Sequence, residues 1–194
     1  MRIIGGICRG RRLRSPERRG ATRVRPTADR AREALFNVIG KEVVAATVLD
    51  LFAGTGALGL EALSRGADFA LLIEADPEVC RLLQTNIELC GFTTAKARSL
   101  RRDCNTDLGF LVDQAPTDGF SLILADPPYG KNLAALTLAR LAALPPRRVL
   151  RSNSLIVLET GHQEELPTQV EDLVVRRPSR RYGEARFHFY GSPM

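Results

Sequence analysis

The feature that most constrains this chain is a repeated change of period. Between residues 46 and 144, short apolar runs of strand length alternate with stretches whose apolar residues recur at helical spacing. "ATVLDLF", "FALLIEAD", a weaker run around 96–101 and "FSLILAD" read as strands. "GTGALGLEALSRG" reads as a glycine-rich turn opening a helix that Gly66 closes. "PEVCRLLQTNIELCG" and "NLAALTLARLAAL" read as two more helices. Pro77 suits a first helical turn, Gly91 lies just past a last one, and Pro145 and Pro146 end the third helix. Such alternation predicts an α/β, Rossmann-like chain with a mostly parallel sheet covered on both faces. "SNSLIVLET", "EDLVVRRPS" and "ARFHFYG" read as late strands, and no helix separates the last two. An antiparallel hairpin at the sheet edge is the expected result.

The N-terminal segment differs in character. "RIIGGICRGRRLRSP" reads as a short β-hairpin, with Ile3, Ile4 and Ile7 apolar, Gly5 and Gly6 at a bend, and "RGRR" at the turn. "RPTADRAREALFNVIG" reads as a helix over about 28–39. Ala31, Ala34, Leu35 and Val38 are spaced along it, Thr27 is its N-cap and Gly40 its stop. Residues 1–26 are therefore expected to form a basic hairpin arm, and 27–194 one α/β domain. Leu35, Phe36, Leu60, Leu82 and Phe189 are core candidates.

Charge also sets the N-terminal segment apart. The chain carries +6 in total, but residues 1–32 hold eleven arginines against Glu17 and Asp29, a net +9, which leaves −3 for the rest. With 25 arginines and three lysines, coding bias explains the choice of arginine but not its segregation. A basic arm on an acidic body is the footprint of contact with a polyanion. Arg9, Arg11, Arg12, Arg14 and Arg25 are the candidate RNA-binding residues. The four cysteines form no C-x-x-C pair and there are two histidines, so a zinc site is not expected and the metal ligands are none. No apolar run is long enough for a membrane span and the N-terminus is not a secretory signal, which makes cytoplasmic placement the expectation.

"LDLFAGTGALGLEAL" carries the first chemical motif. Gly54, Gly56 and Gly59 form G-x-G-x-x-G between a strand and a helix. The first glycine permits the turn, the second lets backbone approach a ligand, and the third lets the helix sit close to the sheet. Glu74 ends the next strand, where a carboxylate holds ribose hydroxyls in dinucleotide and S-adenosylmethionine sites alike. Leu60 stands where a P-loop needs lysine. Asp50, just ahead of the turn, suits a cofactor with an ammonium and a sulfonium and would repel a pyrophosphate; a solvated strand end is the plainer reading. Asp103 either accepts a hydrogen bond from an adenine amine or caps a helix.

The second motif is Asp126-Pro127-Pro128-Tyr129, which ends the fourth strand. Ligands of doubly wound sheets sit beyond the carboxyl ends of the strands at the switch point of strand order, which strands one and four flank here. The motif would then face a cofactor at Gly54 to Gly59. An Asp126 oxygen and the Pro127 carbonyl can accept both N–H bonds of an exocyclic ring amine. Proline supplies no N–H and stiffens the loop. Tyr129 can stack on a base held out of its helix.

"DPPY" with "LDLFAGTGALGLEAL" resembles S-adenosylmethionine-dependent amino-methyltransferases. "RIIGG", "RPTADRAREALFN" and "RRYGEARFHFY" narrow the resemblance to the bacterial RsmD family, which methylates guanine N2 in small-subunit ribosomal RNA. The resemblance covers nearly the whole chain. It implies a seven-stranded sheet of order 3-2-1-4-5-7-6 with strand seven antiparallel. It implies S-adenosylmethionine as methyl donor and a guanine in the head of the small subunit as target. On the same ground Asp50, Phe52, Gly54, Gly56, Glu74 and Asp103 line the cofactor, with Cys104 beside the adenine. Asp126, Pro127, Pro128 and Tyr129 meet the base. Arg25, Pro26 and Thr27 belong to a motif near the cofactor. A monomer acting on a 30S particle or assembly intermediate is the expected form.

Three rival readings remain at this level. A DNA adenine-N6 methyltransferase also uses D/N-P-P-Y, but a chain of 194 residues leaves no room for a target-recognition domain. A nicotinamide oxidoreductase leaves the Asp126 motif unexplained. A non-catalytic RNA-binding assembly factor predicts that Asp126 is dispensable. His162 and His188 are read as incidental, because the protonated product can lose its proton to water.

Overall fold

The computed structural model describes residues 1–16, 26–130, 132–145 and 147–192, with the side chains of 26–28 left out. One mixed sheet runs through the molecule. Its strands are β1 (Thr47–Leu51), β2 (Phe69–Glu74), β3 (Ala97–Arg101), β4 (Phe120–Ala125), β5 (Leu150–Gly161), β6 (Gln169–Val170), β7 (Leu173–Tyr182) and β8 (Ala185–Gly191). The order is β3-β2-β1-β4-β5-β8-β7-β6. Strands β1 to β5 pair in parallel, and β8 runs antiparallel to both β5 and β7. This is the expected order with one addition, the two-residue edge strand β6 against β7. Two residues carry no readable period, so β6 leaves no trace in the sequence pattern.

Alternation along the strands sorts side chains into two cores. Val48, Ala70, Leu72, Leu122, Leu124, Leu155 and Val157 pack on one face with helices α1 (Pro26–Ile39), α2 (Ala57–Ser64) and α3 (Pro77–Leu89). Leu49, Leu71, Ile73, Ile123, Ile156 and Leu158 pack on the other with α4 (Leu111–Gln114) and α5 (Leu133–Ala142). Both faces are dry, which is why these strands read as unbroken apolar runs.

Four local expectations need correction. Helix α1 starts at Pro26, so Thr27 lies inside the first turn and not at the cap; proline fits that position because its missing N–H has no intrahelical partner there. Strand β7 continues past Ser179 to Tyr182, and register shifts between Val175 and Arg180 absorb Pro178. In α3, Leu83 is fully buried and Leu82 only half-buried. Ile7 is 84% exposed, because the N-terminal turn runs through residues 5–10 and points this side chain outward. Arg11 and Arg12 therefore belong to the returning segment: Arg2 and Arg12 form a single antiparallel bridge, and the Ile3 N–H donates to the Arg11 carbonyl at 2.9 Å. Pro146 lies outside the described residues.

The arm is fastened to the domain by polar contacts. Glu61 of α2 is fully buried and accepts hydrogen bonds from the Ile4 N–H at 2.7 Å and the Gly5 N–H at 2.8 Å. Arg65 pairs with the same carboxylate at 2.7 Å, and the buried Arg32 guanidinium lies 3.7 Å away. Ser64 Oγ accepts from the Cys8 N–H at 2.9 Å and donates to the Gly5 carbonyl at 2.6 Å.

Candidate active site

The carboxyl ends of β1, β2 and β4 meet at one edge of the sheet, and the loops there build the site. The β1–α2 loop turns on Gly54 (φ 55°) and Gly56 (φ 88°), both left-handed and so suited to glycine. A Cβ on Gly56 would lie 2.6 Å from the Leu83 Cδ1 and 2.9 Å from the Leu60 Cδ1, whereas one on Gly54 would enter open space. The helix thus needs glycine at 56 to pack, whereas at Gly54 only the left-handed φ calls for glycine. We expect Gly56→Ala to lower unfolding free energy by about 3 kcal/mol, through overpacking and left-handed strain. Chemical denaturation measures this, and a loss below about 1 kcal/mol would contradict the packing argument.

Four carboxylates line up along these strand ends. Glu74 Oε2 accepts from the Gly54 N–H at 2.9 Å, and its Oε1 accepts from the Asp76 N–H at 2.8 Å. Asp76 in turn caps α3, accepting from the Glu78 and Val79 N–H groups at 2.7 and 2.9 Å. Asp50 is fully buried: Oδ2 accepts from the Gly59 N–H at 2.8 Å, while Oδ1 has no hydrogen-bond partner. Burial pushes the Asp50 carboxyl up to about 7, opposed by the Gly59 N–H and reinforced by Glu74. Asp103 is exposed and accepts from the Asn105 N–H at 2.8 Å. That bond closes a turn; no helix starts there, so the capping alternative does not apply.

Two clefts open on this edge. One, of about 200 Å³, is lined by Phe52, Glu74, Asp103, Cys104, Asp126 and Pro128, among others. The other, of about 240 Å³, includes Met1, Arg32, Leu58, Asp126, Tyr129 and Glu159 in its walls. Asp126 borders both. Its pKa is raised by the enclosing walls first, then by Glu159 and Asp50. Tyr129 O–H donates to Glu159 Oε1 at 2.7 Å. Burial also raises Glu159, while the Tyr129 hydroxyl and the Arg32 charge oppose the shift.

Residues 1–191 match the family model described as Conserved hypothetical protein 95. The chain is 39% identical over 168 residues to ribosomal RNA small subunit methyltransferase D of Escherichia coli strain K12, covering 87% of this chain and 78% of the relative. It belongs to the RsmD family. The solved structure of Escherichia coli yhhF agrees: 34% identity and a TM-score of 0.78 over 99% of this chain and 97% of that one. The Thermus thermophilus 16S rRNA N2 methyltransferase RsmC, in complex with AdoMet and guanosine, shares the fold alone, with 23% identity and a TM-score of 0.64 over 90% of this chain and 45% of that one.

As an RsmD-family member the chain is a methyltransferase that uses S-adenosylmethionine. The residues fit that cofactor. The orphaned Asp50 Oδ1, the open space at Gly54 and the row of carboxylates suit a positively charged ligand with hydroxyls to donate. Phe52, Glu74, Asp103 and Cys104 share one cleft, with Gly54 tied to Glu74. Burial pushes the Cys104 thiol up to about 12, so it stays neutral and is no nucleophile. Among the arm arginines Arg9, Arg11, Arg12 and Arg14 are exposed, and Arg25 lies outside the described residues. Arg9 sits in the turn that abuts the C-terminal end of α2, where the Ile7 N–H donates to the Ser64 carbonyl, so it stands off from the clefts by about the length of that helix. His188 contacts Thr160 at 3.0 Å, and burial lowers its pKa.

Sequence reading missed Asn86, Arg32 and Glu159. Asn86 of α3 is fully buried; its amide donates to the Arg14 carbonyl at 3.0 Å and the Thr55 carbonyl at 2.9 Å, and its oxygen accepts from the Arg14 N–H at 2.7 Å. It ties the arm to the glycine-rich loop. A polar residue on the apolar face of α3 was the available signal.

Asp50 also sets a pH dependence. Its carboxyl is near 3.8 when unfolded and about 7 when folded, so the native state binds the extra proton between those values. Its stabilising contribution is complete below pH 4 and is lost as pH rises through 7. The ligand-free protein is therefore expected to lose stability through this group from about pH 4 to about pH 7, by at most roughly 1.4 kcal/mol per pH unit. His188 acts in the opposite direction, so the measurement is the difference between wild type and Asp50→Asn. A difference that does not vary with pH would contradict the assignment.

Proposed function

We propose that this protein transfers the methyl group of S-adenosylmethionine to the exocyclic N2 amine of a guanine in small-subunit ribosomal RNA. The observation that carries the reading is the position of Asp126: it follows directly on β4, beside the glycine-rich loop, and is the wall common to the two clefts. A residue shared by a cofactor cleft and a base cleft can hold the reacting amine at their junction.

S-adenosylmethionine, when bound, supplies an electrophilic methyl group on a sulfonium. The chain supplies position. Asp50, Glu74 and Asp103, with the Gly54 and Gly56 backbone and the walls at Phe52 and Cys104, hold the cofactor. Asp126 and the Pro127 carbonyl accept the two N–H bonds of the amine, whose lone pair is otherwise delocalised into the ring. The gain comes from holding nitrogen and methyl carbon in line within about 3–3.5 Å and excluding water. Pro128 keeps N–H donors away from the amine, and Tyr129, 54% exposed, offers a ring on which the base stacks. The protonated product releases its proton to water.

The substrate is a 30S particle or assembly intermediate, met by a monomer in the cytoplasm. Exposed Arg9, Arg11, Arg12 and Arg14, with Arg25, contact RNA, while the body has net negative charge and needs ribosomal proteins to complete recognition. No helix among the described residues is long and apolar enough to cross a membrane. Comparison of protein-free small-subunit rRNA with assembled subunits tests the substrate: faster methylation of the particle is expected, and equal rates would overturn the shared recognition.

A further inference from the structure

The sheet register sets Glu159 beside Asp126. Strands β4 and β5 run parallel with Ala125 opposite Leu158, so Asp126, just past the end of β4, follows on beside Glu159, which stays within β5 opposite Phe187 of β8. Both line the 240 Å³ cleft that Tyr129 also lines. Only Glu159 Oε1 is used by the Tyr129 hydroxyl, at 2.7 Å. A carboxylate has about four acceptor positions, so Glu159 can receive a second donor from a ligand in the cleft.

Two adjacent carboxylates repel, and a ligand edge with adjacent N–H donors relieves that repulsion. Guanine has such an edge: N1–H stands next to the N2 amine. Adenine has one amine beside N1, which is a bare acceptor, and its lone pair would face the carboxylate. We propose that Glu159 is a specificity-determining residue that accepts the N1–H of the target guanine while Asp126 holds the N2 amine. This rests on the guanine reading above. Burial raises the Glu159 carboxyl, and the Tyr129 hydroxyl and the charge of Arg32, which lines the same cleft, oppose that shift.

The plainer role for Glu159 is to hold Tyr129, and the test separates the two. Methyl transfer to small subunits lacking the endogenous modification is measured for wild type, Glu159→Gln, Tyr129→Phe and the double variant. Guanosine monophosphate and 2-aminopurine riboside monophosphate, which keeps the amine but lacks N1–H, serve as competitors. Wild type is expected to be inhibited by the guanine nucleotide at a roughly tenfold or more lower concentration. Glu159→Gln should lower kcat/KM on the order of 10–100-fold, more than Tyr129→Phe, and should erase the preference because the glutamine amide can donate to the bare N1. Either a rate result or a competition result would overturn the proposal. One is equal losses in both single variants and the double. The other is an unchanged guanine preference in Glu159→Gln, or none in wild type. Wild type that binds S-adenosylmethionine but methylates no small subunit would overturn the rRNA reading, and this inference with it.

Discussion

Asp126→Ala is expected to lower methyl transfer on the order of 10³-fold while S-adenosylmethionine still binds within a few-fold of wild type. The loss follows from removing the acceptor that orients the amine, an interaction needed in the transition state. Binding survives because Asp50, Glu74 and the glycine-rich loop are untouched, and Glu74 keeps its bonds to Gly54 and Asp76. The fold should survive too. The cleft walls, Glu159 and Asp50 all disfavour the Asp126 charge, so the variant should melt no lower than wild type near neutral pH. Calorimetry for the cofactor and single-turnover rates for transfer give both numbers on one sample. Transfer within tenfold of wild type would remove Asp126 from the reaction.

Glu61→Ala is expected to produce the largest loss of stability, about 3–5 kcal/mol. Truncation leaves two arm N–H groups without their acceptor and Arg65 without its carboxylate, and the buried Arg32, which keeps Asp29 at 3.0 Å, loses its second carboxylate. Most of the cost comes from these uncompensated groups and not from the pair itself. The arm should also loosen, so the Ile4 and Gly5 amides should exchange with solvent much faster than those of β1. Chemical denaturation with hydrogen exchange measures both. A loss under about 1 kcal/mol with slow exchange at Ile4 and Gly5 would mean that other contacts hold the arm.

The sheet was legible because both its faces are dry. Runs such as Leu122 to Ala125 have no polar face, and only a covered parallel sheet buries them on both sides. The candidate site's place was legible for the same local reason: Glu74 ends β2, and Gly54 and Asp126 lie just past β1 and β4, whose period is readable. Glu61, Asn86 and Glu159 were not, because their partners lie far along the chain. Glu61 meets Ile4 and Asn86 meets Arg14 across gaps of 57 and 72 residues, and no periodicity encodes such pairs. Glu61 did leave a mark, an acid in the apolar "LGLEAL" stretch where a charge needs a partner. The N-terminal turn was misplaced for a related reason. Glycines 5, 6 and 10 allow several turns, and the contacts of Gly5 and Cys8 with α2 select one of them.

The most direct measurement of the central claim is methyl transfer from radiolabelled S-adenosylmethionine to small subunits that lack endogenous modification, followed by digestion to nucleosides. The account predicts label in N2-methylguanosine. Label in N6-methyladenosine, or none with the cofactor bound, would contradict it.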